Sequence, residues 1–378
     1  MPKKKILITG GAGFLGSHLV DDLVAHGHSV RVLDSITSRA HAGETPVHLH
    51  YDAELIVGDV RDGAVVERAL EDVDVVLHLA AAVSVGESLF EVERCTSVNN
   101  VGTAVLMDRI SRARVERVIL ASSCSVYGEG LYRDPSGELV EIARRKPEQL
   151  RRGQWDPTVD GRPLTPAPTP ETKLVAPGCV YARSKFDQER ICLRFGRAFG
   201  ISTIVLRLFD VFGVRQSSNS PYSGCLSRWA ERVLDDRRPL VLEDGGQIRD
   251  FVHVSDATAA FRAAIDSDLR TGVFNVGTGV PRTLSSVAQK IADIVGKPGL
   301  VPEVTGRSRM GEVRHCYADV SRAASVLGHR PCADFDRALA ELVGWVERQP
   351  RPTRHLAKTV QIEMPAPLKN QMEMGVMS

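Results

Sequence analysis

Through the first half of the chain, short apolar runs alternate with longer stretches whose apolar positions recur every three or four residues. The short runs, at residues 5–8, 29–33, 54–57, 73–79, 117–122 and 202–208, are rich in Val, Ile and Leu and read as buried strands. The stretches at 16–25, 64–70, 100–112 and 182–199 read as helices. Strand and helix in alternation predict an α/β fold, a doubly wound parallel sheet covered on both faces. From about Phe209 the pattern loosens, and short strands mix with helices at 284–295 and 321–327. This predicts a first domain over residues 1–208 and a smaller mixed α/β domain over 209–347, partly interleaved with the first. Residues 129–178 interrupt the first domain. They are rich in Pro, Arg and Gly and include the run Pro163-Leu164-Thr165-Pro166-Ala167-Pro168-Thr169-Pro170. A stretch this long between sheet elements is expected to be functional or disordered. Residues 348–378 carry few periodic apolar positions and read as a loose tail.

Composition narrows the function classes. The chain has 378 residues, 43% hydrophobic and 25% charged, with a net charge of +1. That gives no bulk electrostatic case for nucleic acid or a membrane surface. Seven cysteines are scattered, with no Cys-x-x-Cys pair. An odd, unpatterned set argues against a disulfide framework or a zinc site, so no metal is expected and a reduced, cytoplasmic setting fits. Lys3, Lys4 and Lys5 precede an apolar run, but Ile6-Leu7-Ile8 is too short for a secretion signal. No stretch is long and apolar enough to span a bilayer.

The first strand runs into Thr9-Gly10-Gly11-Ala12-Gly13-Phe14-Leu15-Gly16 and then a helix. Gly10 suits a tight turn, Gly13 lets backbone N–H groups approach a diphosphate, and Gly16 lets helix and strand pack closely. Phe14 and Leu15 open the helix whose N-terminus faces the anion. Asp34 ends the next strand, where a carboxylate can accept hydrogen bonds from both hydroxyls of an adenosine ribose. It would repel a 2′-phosphate, which favours NAD over NADP; Arg39 keeps NADP open. Asp59 and Val60 close the third strand, where an adenine edge would lie. Leu79, Ala80 and Ala81 end the fourth, and small residues there suit backbone passing close to a cofactor.

Tyr181 and Lys185 stand four apart in the stretch read as a helix, so they share a face. An ammonium beside a phenol favours its ionised form, which makes the pair an acid/base candidate. Ser122-Ser123-Cys124-Ser125 follows the fifth strand, at the carboxyl edge where such sheets bind ligands. A hydroxyl there could hold a substrate oxygen beside Tyr181.

These residues resemble the extended short-chain dehydrogenase/reductases, the family of nucleotide-sugar epimerases and dehydratases. The resemblance spans roughly residues 5–345. It rests on the glycine turn, His78-Leu79-Ala80-Ala81, Val98-Asn99-Asn100-Val101-Gly102-Thr103, the serine cluster and Tyr181-x-x-x-Lys185. Leu206-Arg207-Leu208-Phe209-Asp210-Val211-Phe212-Gly213, Arg249-Asp250-Phe251-Val252-His253-Val254-Ser255-Asp256 and Gly311-Glu312-Val313-Arg314-His315 continue it. It implies a Rossmann-type NAD-binding domain and a C-terminal nucleotide-sugar domain. It implies Ser123, Tyr181 and Lys185 as the catalytic set, with Tyr181 and Lys185 also touching NAD. Asn99 and Ser125 would lie along the sugar, and Arg249 and Arg314 would hold the diphosphate. Asp210 would stand at the same substrate, although the family usually has Asn there. A homodimer through the helices that begin near Asn100 and Ala182 is also implied.

Within that family, Cys124-Ser125 replaces the Asp-Glu pair of sugar 4,6-dehydratases, and Ser125 stands where 3,5-epimerases use a cysteine. This favours 4-epimerisation. A dehydratase, a reductase or dehydrogenase of the same family, and a non-catalytic dinucleotide-binding regulator remain the alternatives. Gly130-Leu131-Tyr132, Gln154-Trp155-Asp156-Pro157, Pro168-Thr169-Pro170-Glu171, Arg215-Gln216-Ser217 and Asn219-Ser220-Pro221-Tyr222-Ser223-Gly224 resemble dTDP-L-rhamnose 4-epimerases, whose insertions usually carry cysteine pairs. Here the insertion has no cysteine and must be held otherwise. It is expected, with Trp155, to cover the sugar.

Overall fold

The computed structural model describes residues 3–37, 48–82, 91–141, 145–216, 224–308 and 312–349. Arg39, Asn219, Ser220, Pro221, Tyr222, Ser223, Gly311 and nearly all of the tail lie outside these. The described residues up to Glu347 pack as one unit.

The strands in chain order are β1 Lys5–Thr9, β2 Ser29–Asp34, β3 Glu54–Val57, β4 Val75–His78 and β5 Arg117–Ser123. In the insertion they are β6 Leu131–Arg133, β7 Leu139–Glu141, β8 Thr158–Val159, β9 Arg162–Pro163 and β10 Thr165–Ala167. Then come β11 Ser202–Leu208, β12 Asp210–Phe212, β13 Leu240–Val241, β14 Ile248–Arg249, β15 Phe251–His253 and β16 Thr271–Val276. Seven of them form one sheet in the order β16-β11-β5-β4-β1-β2-β3, with every pairing parallel. The order reverses between β1 and β4, which opens a crevice at their carboxyl ends. The edge strand β16 comes from beyond Phe209, so the second half of the chain completes the sheet.

The alternation within each strand explains why both faces are covered. Ile6 and Ile8, Val30 and Val32, Val75 and Leu77, Ile119 and Ala121, and Ile204 and Leu206 point to one face. There they meet Leu19, Val20 and Leu23 of helix Phe14–Ala25 and Ala257, Ala260 and Phe261 of helix Val254–Asp266. Leu7, Leu33, Val76, Val118, Leu120 and Val205 point the other way, onto Val66, Leu106, Met107, Ile110 and Cys192 from the helices Gly63–Ala69, Gly102–Ile110 and Val180–Phe199. A separate apolar cluster joins helices Cys225–Leu234, Leu284–Ile294 and Phe335–Arg348 around Phe212, Trp229, Phe251 and Leu339.

Two elements differ from the sequence pattern. The stretch expected to be helical from residue 100 begins earlier, through a π turn at Ser97–Val101. The insertion is built rather than featureless: β10, β6 and β7 form an antiparallel sheet, and β8 and β9 a hairpin. Its prolines hid this, because Pro163 and Pro166 read as breakers yet sit in edge strands, where a missing N–H costs no ladder bond.

Candidate active site

The glycine turn lies at the crevice. Gly10 has φ +73°, and a Cβ there would stand 2.8 Å from the Ala80 nitrogen. A Cβ on Gly16 would stand 2.4 Å from the Gly10 carbonyl oxygen, so both positions need glycine. Gly13 begins helix Phe14–Ala25, and no side chain caps the helix. Its first-turn N–H groups thus have no side-chain acceptor, which suits a diphosphate. Asp34, nearly buried at the end of β2, accepts from the Ala12 and Ile36 N–H groups at 3.1 and 3.0 Å. This places its carboxylate against the glycine turn. Asp59 is tied to the Arg61 guanidinium at 2.6 Å, which holds its carboxyl below the usual range. Val60 is buried beneath Gly102. Leu79 and Ala80 fold over β1: the Leu79 N–H donates to the Thr9 carbonyl and the Ala80 N–H to Thr9 Oγ1. Ala81 follows them at the mouth of the crevice.

Across the crevice, Ser123 closes β5, and its hydroxyl stands near enough to the Tyr181 phenol to act on its ionisation. It also accepts from the Ser125 N–H at 3.2 Å. Tyr181 lies in the first turn of helix Val180–Phe199, which the Cys179 thiol caps by accepting from Ala182 N–H at 3.4 Å. Lys185 follows one turn on, 3% exposed, its ammonium donating to Gln188 Oε1 at 2.9 Å. Burial pulls its pKa down to about 8. Burial also pushes the Tyr181 phenol above its ordinary value, with the Cys124 thiol adding to the rise and the nearby Ser123 hydroxyl opposing it. The expectation that Lys185 makes this phenol acidic therefore needs correction for the protein alone, where desolvation dominates. A further cation beside the phenol would be needed to reverse that.

A buried chain of neutral groups runs from Lys185 back to the glycine turn. Gln188 Nε2 donates to Thr103 Oγ1 at 2.7 Å, Thr103 meets His78 Nε2 at 2.9 Å, and His78 Nδ1 meets Thr9 Oγ1 at 2.7 Å. Burial lowers the His78 pKa to about 3, so the imidazole stays neutral. Asn99 braces the same frame. Its amide donates to Ser184 Oγ at 2.8 Å and to the Ala82 carbonyl, and its oxygen accepts from Ala82 N–H at 2.7 Å. Asn99 is fully enclosed, and these bonds position the helix and the Ala80-Ala81-Ala82 turn.

β11 brings a third group. Leu208 pairs with Ser123 in register, and the chain then enters β12 at Asp210. Arg249 stands close, its Nε 4.0 Å from Asp210 Oδ2. Arg314 is elsewhere employed. Its guanidinium is 2% exposed and donates to Asp156 at 2.7 Å, Glu243 at 3.0 Å and Asp244 at 2.6 and 2.9 Å. With those donors on carboxylates, it fastens Asp156 of the insertion to Glu243 and Asp244. Arg145 completes the clamp, reaching Glu129 at 3.1 Å and Glu243 at 2.7 Å. The Glu129 carboxylate accepts from the Arg314 and His315 N–H groups.

Residues 6–149 and 158–277 match the model of the NAD dependent epimerase/dehydratase family. The chain belongs to this family. It is 34% identical to a dTDP-L-rhamnose 4-epimerase of Burkholderia thailandensis over 352 residues, covering 92% of this chain and 96% of that one. Its fold is similar to the UDP-glucose 4-epimerase of Thermotoga maritima solved with UDP-glucose, at TM-score 0.75 and 28% identity, covering 91% and 98% of the two chains. It is also similar to the Thermus thermophilus UDP-glucose 4-epimerase in complex with NAD, at TM-score 0.73 and 29% identity, covering 91% and 99%.

As a member of the epimerase/dehydratase family, the chain is an enzyme whose cofactor is NAD. The residues present fit that group: the uncapped helix start behind Gly13, the close Gly10–Ala80 approach and Asp34 at the turn together form an NAD cradle. Gln188 and Thr103 were missed from the sequence, although Gln188 lies one helical turn past Lys185 and that spacing could have found it. Glu129, Arg145 and Glu243 had no sequence signal, because their partners lie far along the chain. Among the described residues, no helix is long and apolar enough to cross a membrane.

Proposed function

We propose that this enzyme is a nucleotide-sugar 4-epimerase acting on a dTDP-6-deoxyhexose such as dTDP-L-rhamnose. The carrying observation is that Ser123 lies beside Tyr181, with Lys185 one helical turn further on, while Cys124 and Ser125, not a carboxylate pair, follow Ser123. That set can move a hydroxyl proton but lacks the carboxyl acid and base that water elimination asks of those positions. The likeness to the dTDP-L-rhamnose 4-epimerase supports the choice of sugar.

In this reading residues 1–208 hold NAD and 209–347 hold the nucleotide sugar. NAD, when bound, supplies reversible hydride acceptance at the sugar's C4. Tyr181 removes the C4 hydroxyl proton, with the charge of Lys185 and of the oxidised cofactor making its phenol acidic enough. Ser123 keeps the oxygen in place by its hydroxyl, and Ser125 lines the sugar. The 4-keto sugar then turns within the site, and Tyr181 returns the proton after the opposite face has been reduced. Trp155 and the insertion shape the sugar's surroundings. The setting is cytoplasmic and the unit a homodimer. Helices Gly102–Ile110 and Val180–Phe199 would meet their copies, with exposed Val101 and Phe199 marking their outward sides. Light scattering at micromolar concentration should give the dimer mass, and a monomer mass removes this part of the proposal.

The test of the reaction is proton NMR of dTDP-L-rhamnose with the enzyme and NAD in deuterated water. A C4 epimer carrying no solvent deuterium is the expected product. Deuterium at C3, C5 or C6, or a stable keto sugar, would replace epimerisation with another chemistry. Stoichiometric formation of NADH absorbance would point to a dehydrogenase.

A further inference from the structure

Three polar atoms beside the serine cluster are shielded from solvent yet bond to nothing: Asp210 Oδ2, Ser125 Oγ and Gln216 Oε1. They share a neighbourhood. The Cys124 thiol, next in the chain to Ser125, lies within electrostatic reach of the Asp210 carboxylate. The Gln216 amide donates to the carbonyl of Val211, the residue after Asp210. Buried polar groups are normally paired, so unpaired atoms on Asp210 and on residues around it leave acceptors and a hydroxyl open to a polar ligand.

The charges around Asp210 decide the form in which it meets that ligand. Its side chain is 42% exposed, yet the Oδ2 atom is enclosed. Arg249 is the facing cation, with Nε 4.0 Å away. The rest of that guanidinium is engaged, by Glu312 and by the carbonyls of Ile248, Val313 and Arg314. Asp250 and Glu312 face Asp210 as like charges, and the Cys124, Cys225 and Cys316 thiols complete the surround. Burial, assisted by Asp250 and Glu312 and opposed by Arg249, pushes the carboxyl up to about 6. At neutral pH the free protein therefore holds mostly carboxylate, with the acid close at hand. A diphosphate nearby adds negative charge and favours the acid further.

We propose that Asp210 binds substrate as a neutral carboxylic acid, taking up one proton from solvent as the nucleotide-sugar diphosphate enters. The inference rests on the functional reading above, which supplies the ligand. The protonated group donates its O–H to a substrate oxygen, and Arg249 Nε–H stays directed at the phosphates. Asp210 is thereby a pH-dependent gate on affinity. The binding-competent protein is the protonated fraction, which falls roughly tenfold per pH unit above the carboxyl's own pKa, so apparent affinity falls with it.

The experiment is titration calorimetry of dTDP-L-rhamnose into the NAD-loaded enzyme at pH 7, in Pipes and in imidazole. Both phosphates of this ligand are esterified, so it does not itself titrate there. The dependence of heat on buffer ionisation enthalpy should show about one proton taken up. In steady state, wild-type KM should rise roughly tenfold from pH 7 to pH 8. The Asp210→Asn enzyme should show no proton uptake, a flat KM and a KM below wild type at pH 8. Binding without proton uptake, or uptake that survives Asp210→Asn, overturns the inference and leaves the function standing. Failure of both dTDP-L-rhamnose and UDP-glucose to bind overturns the functional reading, and this inference with it.

Discussion

The catalytic frame and the insertion are held by opposite means. From Thr9 through His78, Thr103 and Gln188 to Lys185, the frame is a chain of short hydrogen bonds whose only charge is the terminal ammonium. The insertion is fastened by full charges. Arg145 lies between Glu129 and Glu243, and Arg314 joins Glu243 to Asp156 and Asp244; both arginines and both glutamates are nearly inaccessible, and the two aspartates are half-exposed at the rim. Neutral bonds hold geometry at small desolvation cost, which suits a site where Lys185 must be the dominant charge. Buried ion pairs tolerate no missing partner, because each charge left alone is a buried charge without solvent. The frame is thus tuned for chemistry, and the clamp for keeping one arrangement of a proline-rich excursion.

The largest effect should come from the frame. Tyr181→Phe removes the proton carrier and should lower kcat by roughly 100-fold or more, with the circular-dichroism spectrum unchanged. A variant that still turns over at the wild-type rate would make the regulator reading the better one. Second in size is the clamp. Glu243→Gln leaves two buried arginines with one fully buried carboxylate, and should cost about 3 kcal/mol in urea unfolding. It should also expose residues 129–178 to limited proteolysis. The smallest effect is the control. Lys290→Ala breaks an exposed pair with Asp336 and should cost about 0.5 kcal/mol or less. If Glu243→Gln costs no more than Lys290→Ala, the contrast between frame and clamp fails.

What could be read ahead of the fold follows the same division. β3 and β11 sit where the pattern placed them, β1, β2, β4 and β5 differ by a residue or two at their ends, and the edge strand β16 was not placed by the pattern. Strand alternation is a local property, and two buried faces leave their mark on every second residue. The glycine turn, Ser123, Tyr181 and Lys185 were legible because each belongs to a short motif at one strand end or on one helix face. Asn99 and Arg314 were legible as motif members, but their partners within the fold were not: Asn99 braces Ser184 and Ala82, and Arg314 pairs with Asp156, Glu243 and Asp244. The strands of the insertion were hidden for a similar reason, since β6 is paired on both sides within a sheet whose outer strand carries Pro166.

The chain's own pattern determined the parallel sheet, the glycine turn at its crevice and the placing of Tyr181 and Lys185 one helical turn apart. Periodicity and helical spacing act over a few residues, and those features need nothing more. Tertiary structure alone decided which charges are neutralised. It set Arg145 between Glu129 and Glu243, enclosed Lys185 against Gln188 with the Glu189 carboxylate within reach, and left one oxygen of Asp210 buried without a hydrogen bond. Charge is settled by burial and by neighbours distant in sequence, and both exist only once the chain has folded.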